Sequence, residues 1–176
     1  MQTARLLLRP WRPGDRSPFA RINTDSRVME FYPAPLTTSE SDASILRIQA
    51  HFAKHGFGLW AAELRATGQF LGYIGLSVPP FQAHFTPSVE IGWRLDADHW
   101  GHGLATEGAL AVLDHAFNTL ALPELVSFTT PQNLRSIRVM QKLGMTSNPK
   151  DDFDHPSVPQ GHPLSRHVLY RLASPR

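Results

Sequence analysis

The sequence predicts an α+β fold, a mixed α/β arrangement with a mainly antiparallel sheet. Three strand-like runs lie close together between residues 59 and 95, as in a meander. Runs with apolar residues at helical spacing stand before and after them. A strand, a glycine-bearing loop and a helix follow one another over residues 88–120. Strands and helices do not alternate in equal units, which excludes a barrel of repeats.

Each element has its own signal. Thr3 to Arg9 is rich in leucine and reads as a first strand. Pro13-Gly14-Asp15 opens a helix through Thr24, with Phe19 and Ile22 on one side. Prolines force a loop around Phe31-Tyr32-Pro33-Ala34-Pro35. Thr38-Ser39-Glu40-Ser41 is cap-like, and Ile45, Ile48 and Phe52 continue a helix to His55 before Gly56. Leu59–Leu64 and Phe70–Val78 form a hairpin about Gly68. Pro79 to Pro87 is a loop. Ser88 to Leu95 alternates cleanly, with Val89, Ile91, Trp93 and Leu95 on one face and Ser88, Glu90, Gly92 and Arg94 on the other. Leu104 to Leu120 reads as one helix with Leu110, Leu113 and Phe117 on its apolar face. Leu125–Thr130 is a strand, Asn133–Leu143 a helix ended by Gly144, and His167–Leu172 a last strand after a polar stretch at 151–163.

Composition narrows the function. The chain has 176 residues, enough for one domain with a real core, spanning residues 1–176. It has no Cys, which excludes disulfides, thiolate metal sites and a cysteine nucleophile. The formal charge is +2, and its arginines are scattered rather than run together, so a nucleic-acid partner is not expected. Leu6-Leu7-Leu8 is too short for a signal-peptide core, and no segment reaches the ~20 apolar residues of a membrane span. A cytoplasmic protein without a membrane partner is the expectation. His51/His55 and His99/His102 lack the H-E-x-x-H pattern, so no metal is expected.

The informative segment is Asp98-His-Trp-Gly-His-Gly-Leu-Ala-Thr-Glu107. Gly101 and Gly103 permit left-handed backbone, and a helix start offers unpaired N–H groups. Such a turn suits a phosphate or pyrophosphate; a plain strand-to-helix connection would use the same glycines. A P-loop is excluded because Leu104-Ala105, not Lys-Ser/Thr, follows Gly103, and Thr106 breaks a dinucleotide fingerprint.

Trp100-Gly-His-Gly-Leu-Ala-Thr-Glu107 resembles the acetyl-CoA pyrophosphate loop of the GNAT N-acetyltransferases, in the form typical of the RimJ/RimL ribosomal-protein acetyltransferase branch. Arg5-Leu-Leu-Leu-Arg-Pro10, Val89-Glu-Ile-Gly92, Asn133-x-x-Ser136 and Lys142-Leu-Gly-Met145 agree with that family in order, across nearly the whole chain. The resemblance implies a splayed sheet flanked by helices, with acetyl-CoA as co-substrate. Pantetheine would bond the strand of Ile91, Gly92, Trp93 and Leu95. The pyrophosphate would sit on Gly101, His102, Gly103, Leu104, Ala105 and Thr106.

The implied reaction is direct attack of a primary amine on the thioester, the amine belonging to a protein N-terminus or a small molecule. Glu90 is the candidate base, with an orienting or structural carboxylate as the alternatives. Met140 stands where many relatives carry an acidic Tyr, which leaves Ser136 to assist the thiolate or merely to pack. Asn133 either bonds the pantetheine or caps its helix. Phe31 and Tyr32 are candidates for the acceptor side, and His155 and His162, flanking the tail loop, for facing the acceptor amine; Val139, Met140, Phe57, Trp60 and Trp93 read as core. A non-catalytic acyl-CoA binder or sensor is the competing reading. A homodimer fits the family, although the sequence marks no interface.

Overall fold

The computed structural model describes residues 1–175. In chain order the elements are β1 (Leu6–Arg9), α1 (Arg16–Thr24), α2 (Ser26–Met29), α3 (Thr38–His55), β2 (Leu59–Leu64), β3 (Gln69–Ser77) and β4 (Glu90–Leu95). Then follow α4 (Leu104–Asp114), β5 (Glu124–Thr129), α5 (Leu134–Lys142), β6 (Thr146–Ser147), β7 (Phe153–Asp154) and β8 (Arg166–Ala173). The sheet runs β1-β2-β3-β4-β5-β8-β6, with β7 paired to β8. Every pairing is antiparallel except β4 with β5.

Local chemistry explains the boundaries. Thr37 caps α3, accepting from the Glu40 N–H while the Glu40 carboxylate accepts from the Thr37 N–H. Gly56, at φ 75°, closes that helix in the left-handed region. The cap sits one residue earlier than the sequence suggests. Asp25 caps the short α2, whose four residues are too few to show a period.

One face of the sheet holds α1 and α3 over Trp11, Phe19, Ile22, Ile45, Ile48 and Phe70. The other holds α4, burying Leu71, Ile74, Ile91, Leu104, Ala109 and Val112. Gly108 lets α4 approach closely, because a Cβ there would collide with Ile74. The 104–120 run is not one α-helix: α4 gives way to a π-helical turn at His115–Thr119. Leu110 is 51% exposed, so the expected apolar face is corrected to Leu104, Ala109, Val112 and Leu113, with Gly108 at the contact. The 151–163 stretch is also more ordered than its polarity suggests, since Phe153 in β7 joins a cluster with Phe85, Val126 and Leu169.

The start of the chain is fastened by charge. Arg9 makes two 2.8 Å bonds to Asp15 and one of 2.6 Å to Glu63, with all three side chains largely buried. Among the described residues, no helix is long and apolar enough to cross a membrane.

Candidate active site

The centre of the site follows from the alternation of β4. Asp96 N–H donates to the Leu71 carbonyl on the β3 side (2.8 Å), while the Val89 carbonyl accepts from Val126 N–H on β5 (2.9 Å). Odd-numbered residues of β4 therefore aim their backbone groups toward β5. Glu90 and Val126 are the sole register pair between the two strands. Beyond it β4 and β5 part, and the N–H groups of Trp93 and Leu95 point into the gap. The Leu95 carbonyl is already taken by the Trp100 indole at 2.9 Å.

The gap opens into a cavity of about 380 Å³. At one end lie Gly101 and Gly103, both left-handed at φ 80° and 76°, as their spacing predicts. Gly103 is the N-cap of α4. The first main-chain bond of that helix runs from Glu107 N–H to the Gly103 carbonyl (3.0 Å). The earlier amides of Leu104, Ala105 and Thr106 thus have no helical acceptor, and all three residues line the cavity. Arg5 steadies the loop, donating to the His102 carbonyl (2.9 Å) and pairing with Glu107 (2.6 Å).

Helix α5 forms another wall. Arg135, Ser136, Arg138, Val139 and Lys142 all line the cavity. Their helical spacing gives this wall a cationic stripe suited to phosphate. Asn133 accepts from Ser136 N–H (3.2 Å) and donates to the Thr129 hydroxyl (3.0 Å). Its amide is a helix cap tied to β5, which fixes where Ser136 begins. Trp100 stands under Arg135, whose guanidinium lies 4.5 Å above its ring.

The even face of β4 holds Glu90, Gly92 and Arg94. Glu90 accepts from the Ser77 hydroxyl at 3.1 Å, its cross-strand partner. Burial raises its pKa from 4.5 to about 7, against the lowering effect of that hydroxyl. Gly92 keeps space open, because a Cβ there would meet little besides the Glu90 carboxylate, at 3.6 Å. Phe31, Tyr32 and Tyr73 complete this side.

Most residues expected in the site therefore converge: Phe31, Tyr32, Glu90, Gly92, Trp93, Leu95, Gly101, Gly103, Leu104, Ala105, Thr106, Asn133 and Ser136. Two do not line the cavity. The Ile91 side chain is fully buried in the α4-side core, because it lies next to the Glu90–Val126 pair, before the strands part. His102 projects outward, with its ring near the His99 carbonyl and its own carbonyl spent on Arg5. Val139 and Trp93, expected as core, are partly buried and line the cavity, whereas Met140 is fully buried. His155 and His162 are not among the lining residues. The His155 ring packs 4.7 Å from Phe81 and 5.0 Å from His167, and burial pushes its pKa down to about 4.

Sequence reasoning missed Tyr73, Arg94, Arg138 and Lys142 as lining residues. Arg94 was legible as the second residue after Gly92 on the Glu90 face. Arg138 and Lys142 were legible as an i, i+4 pair behind Ser136. The His51 and His55 rings lie 4.4 Å apart but serve the fold: His51 Nε2 accepts from Val78 N–H, so its Nδ1 donates to the Phe57 carbonyl. No cluster able to hold a metal ion occurs among the described residues.

A splayed mixed sheet with a glycine turn at a helix start defines an acetyltransferase architecture. The acetyltransferase (GNAT) domain matches residues 5–146, and the chain belongs to that family. An acetyltransferase structure from Agrobacterium tumefaciens is similar at 31% identity and TM-score 0.79, covering 98% of this chain and 92% of that one. The FsC-acetyl coenzyme A-N(2)-transacetylase of Aspergillus fumigatus is 29% identical over 195 residues, covering 99% of this chain and 80% of its own. RimJ of Mycobacterium smegmatis, solved with CoA-disulfide, shares the fold at 20% identity and TM-score 0.74, covering 96% and 82%.

Proposed function

We propose that this chain transfers acetyl from acetyl-CoA directly to a primary amine, borne by a protein N-terminus or a small molecule. The observation that carries the reading is Glu90, a carboxyl poised near neutrality on a cavity-lining strand where β4 leaves β5. In this reading the amides of Gly101 and Gly103 to Thr106 hold the pyrophosphate, and Arg138 and Lys142 add positive charge nearby. The strand amides of Trp93 and Leu95 take the pantetheine and the carbonyl oxygen as it gains charge. That assignment replaces the amide near Ile91, whose position is next to the β5 pairing.

The amine arrives as ammonium and gives a proton to Glu90, directly or through water. Its lone pair forms the C–N bond and the C–S bond breaks. As that bond breaks the nitrogen gives up its second proton, which reaches the departing thiolate through the Ser136 hydroxyl that Asn133 positions, leaving an amide and the CoA thiol. Zero Cys in the chain leaves no thiol for an acetyl-enzyme intermediate, so both reactants meet in one complex. Phe31 and Tyr32 wall the acceptor side. The test is acetyl-CoA consumption, read as free thiol, across peptide and small-amine panels. Turnover that disappears in Glu90→Gln supports the reading; an absence of thiol release with every amine overturns it.

A further inference from the structure

Arg94 is a cation in the cavity wall without a carboxylate partner. Its Nη1 donates to Asn23 Oδ1 at 2.7 Å, and its guanidinium lies 4.2 Å from the Tyr32 ring centre and 5.6 Å from that of Tyr73. Its Nε is sealed from solvent with no hydrogen-bond partner. None of the ion pairs among the described residues includes it. The acids on either side of it along the chain are committed elsewhere: Asp96 pairs with Arg21, and Glu90 bonds Ser77. Arg94 is partly buried at the cavity wall among neutral side chains, and no carboxylate there offsets its charge. Tying β4 to α1 through Asn23 would need only a neutral donor. A guanidinium lining the cavity is instead suited to a carboxylate, which its Nη groups can meet with a charge-assisted hydrogen bond.

We propose that Arg94 anchors a carboxylate of the acceptor molecule, so that the substrate is an amine carrying an acid at a fixed distance. This rests on the acetyltransferase reading above and names its acceptor class. Glu90 and Arg94 share one face of β4 four residues apart, about 13 Å between Cα atoms at ordinary strand rise. An extended acceptor of about three to four residues covers that span. A polyamine places a cation against Arg94 and is a poor fit.

Three peptides of matched length distinguish the sources of the acid. Tetraglycine carries a terminal carboxylate, tetraglycine amide carries none, and Gly-Gly-Glu-Gly amide carries a side-chain acid. The expected result is a kcat/KM at least about tenfold higher for one or both acid-bearing peptides than for the plain amide, as for one charge-assisted contact. Arg94→Gln brings that ratio to about one while the melting-temperature shift caused by CoA is retained. Arg94→Lys, which keeps the charge on a different frame, retains part of the ratio. Equilibrium binding of the same peptides to the CoA-loaded wild-type protein reads the preference without turnover or a variant. Equal binding of acids and amide, a preference for spermidine, or an Arg94→Gln variant that slows all peptides alike overturns the proposal. Turnover without acid preference leaves the acetyltransferase reading standing; acid-selective binding without turnover on any amine removes that reading and leaves the anchor.

Discussion

Glu90→Gln removes a titrating group while keeping its shape. Burial holds the wild-type carboxyl at about 7 instead of 4.5, and the Ser77 hydroxyl offsets this only in part. Between those values the folded protein keeps a proton that the unfolded chain has released. Stability from this group is therefore full below about pH 4.5, falls as pH rises, and is flat above about 7. The total loss is about 3 kcal/mol at most, with cavity water reducing it. Glutamine has no such cost, so the variant gains on the wild type by up to that amount at pH 8 and by nothing at pH 4.5. Chemical denaturation at the two pH values measures the difference. Activity moves the other way. Wild-type kcat/KM rises about tenfold per pH unit below about 7 and bends there, as expected for a required base. The variant loses about 10²–10⁴-fold in kcat/KM. An acceptor α-amine also ionises near 8, so the deciding feature is the lower limb that vanishes in the variant. A variant within threefold of wild type that keeps this limb refutes the base assignment. Equal stability changes at both pH values refute the burial argument.

Ser136→Ala is expected to lower kcat by about ten- to a hundredfold, the range of a hydrogen bond to a charged group, with KM and the CoA-induced thermal shift unchanged. Gly103→Val forces a β-branched residue to φ 76°; it should cost about 1–2 kcal/mol and weaken CoA binding by calorimetry, with activity recovering at high acetyl-CoA. Arg9→Met leaves Asp15 buried without its two 2.8 Å bonds, and denaturant unfolding should show a loss of about 3–5 kcal/mol.

The parts of the site that were legible in sequence are those where backbone conformation restricts residue choice. Gly101 and Gly103 had to be glycine for a left-handed turn, and both adopt it. The alternation of Glu90 to Leu95 placed Glu90 and Arg94 on one face and buried Ile91 on the other. What was illegible depends on elements meeting across the chain. Tyr73 reaches the cavity because β3 pairs with β4 opposite Arg94. His155 is withdrawn from it because Phe81, far away in sequence, and His167 on the neighbouring strand pack against its ring. The exposed Leu110 shows a different limit. An amphipathic stripe drifts around a helix, and only the contact at Gly108 decides which residues meet the sheet.

Most polar groups around the cavity also have work in the fold. Trp100 closes the turn after β4 through the Leu95 carbonyl, and Asn133 caps α5 while joining it to β5. Such residues would be retained for stability alone, so their presence is weak support for chemistry. Glu90 and Arg94 differ. One is a carboxyl pushed toward neutrality by burial, and the other is a partly buried guanidinium with no carboxylate partner. Neither adds to stability what an uncharged residue of similar shape could not supply. Both lie on the β4 face that looks into the cavity, four residues apart, flanking the open position at Gly92. Their common register ties amine activation and acceptor anchoring to a single rigid strand. A shift of one residue in β4 would turn both groups into the α4-side core, so catalytic geometry and sheet register are maintained by the same pairing with β3.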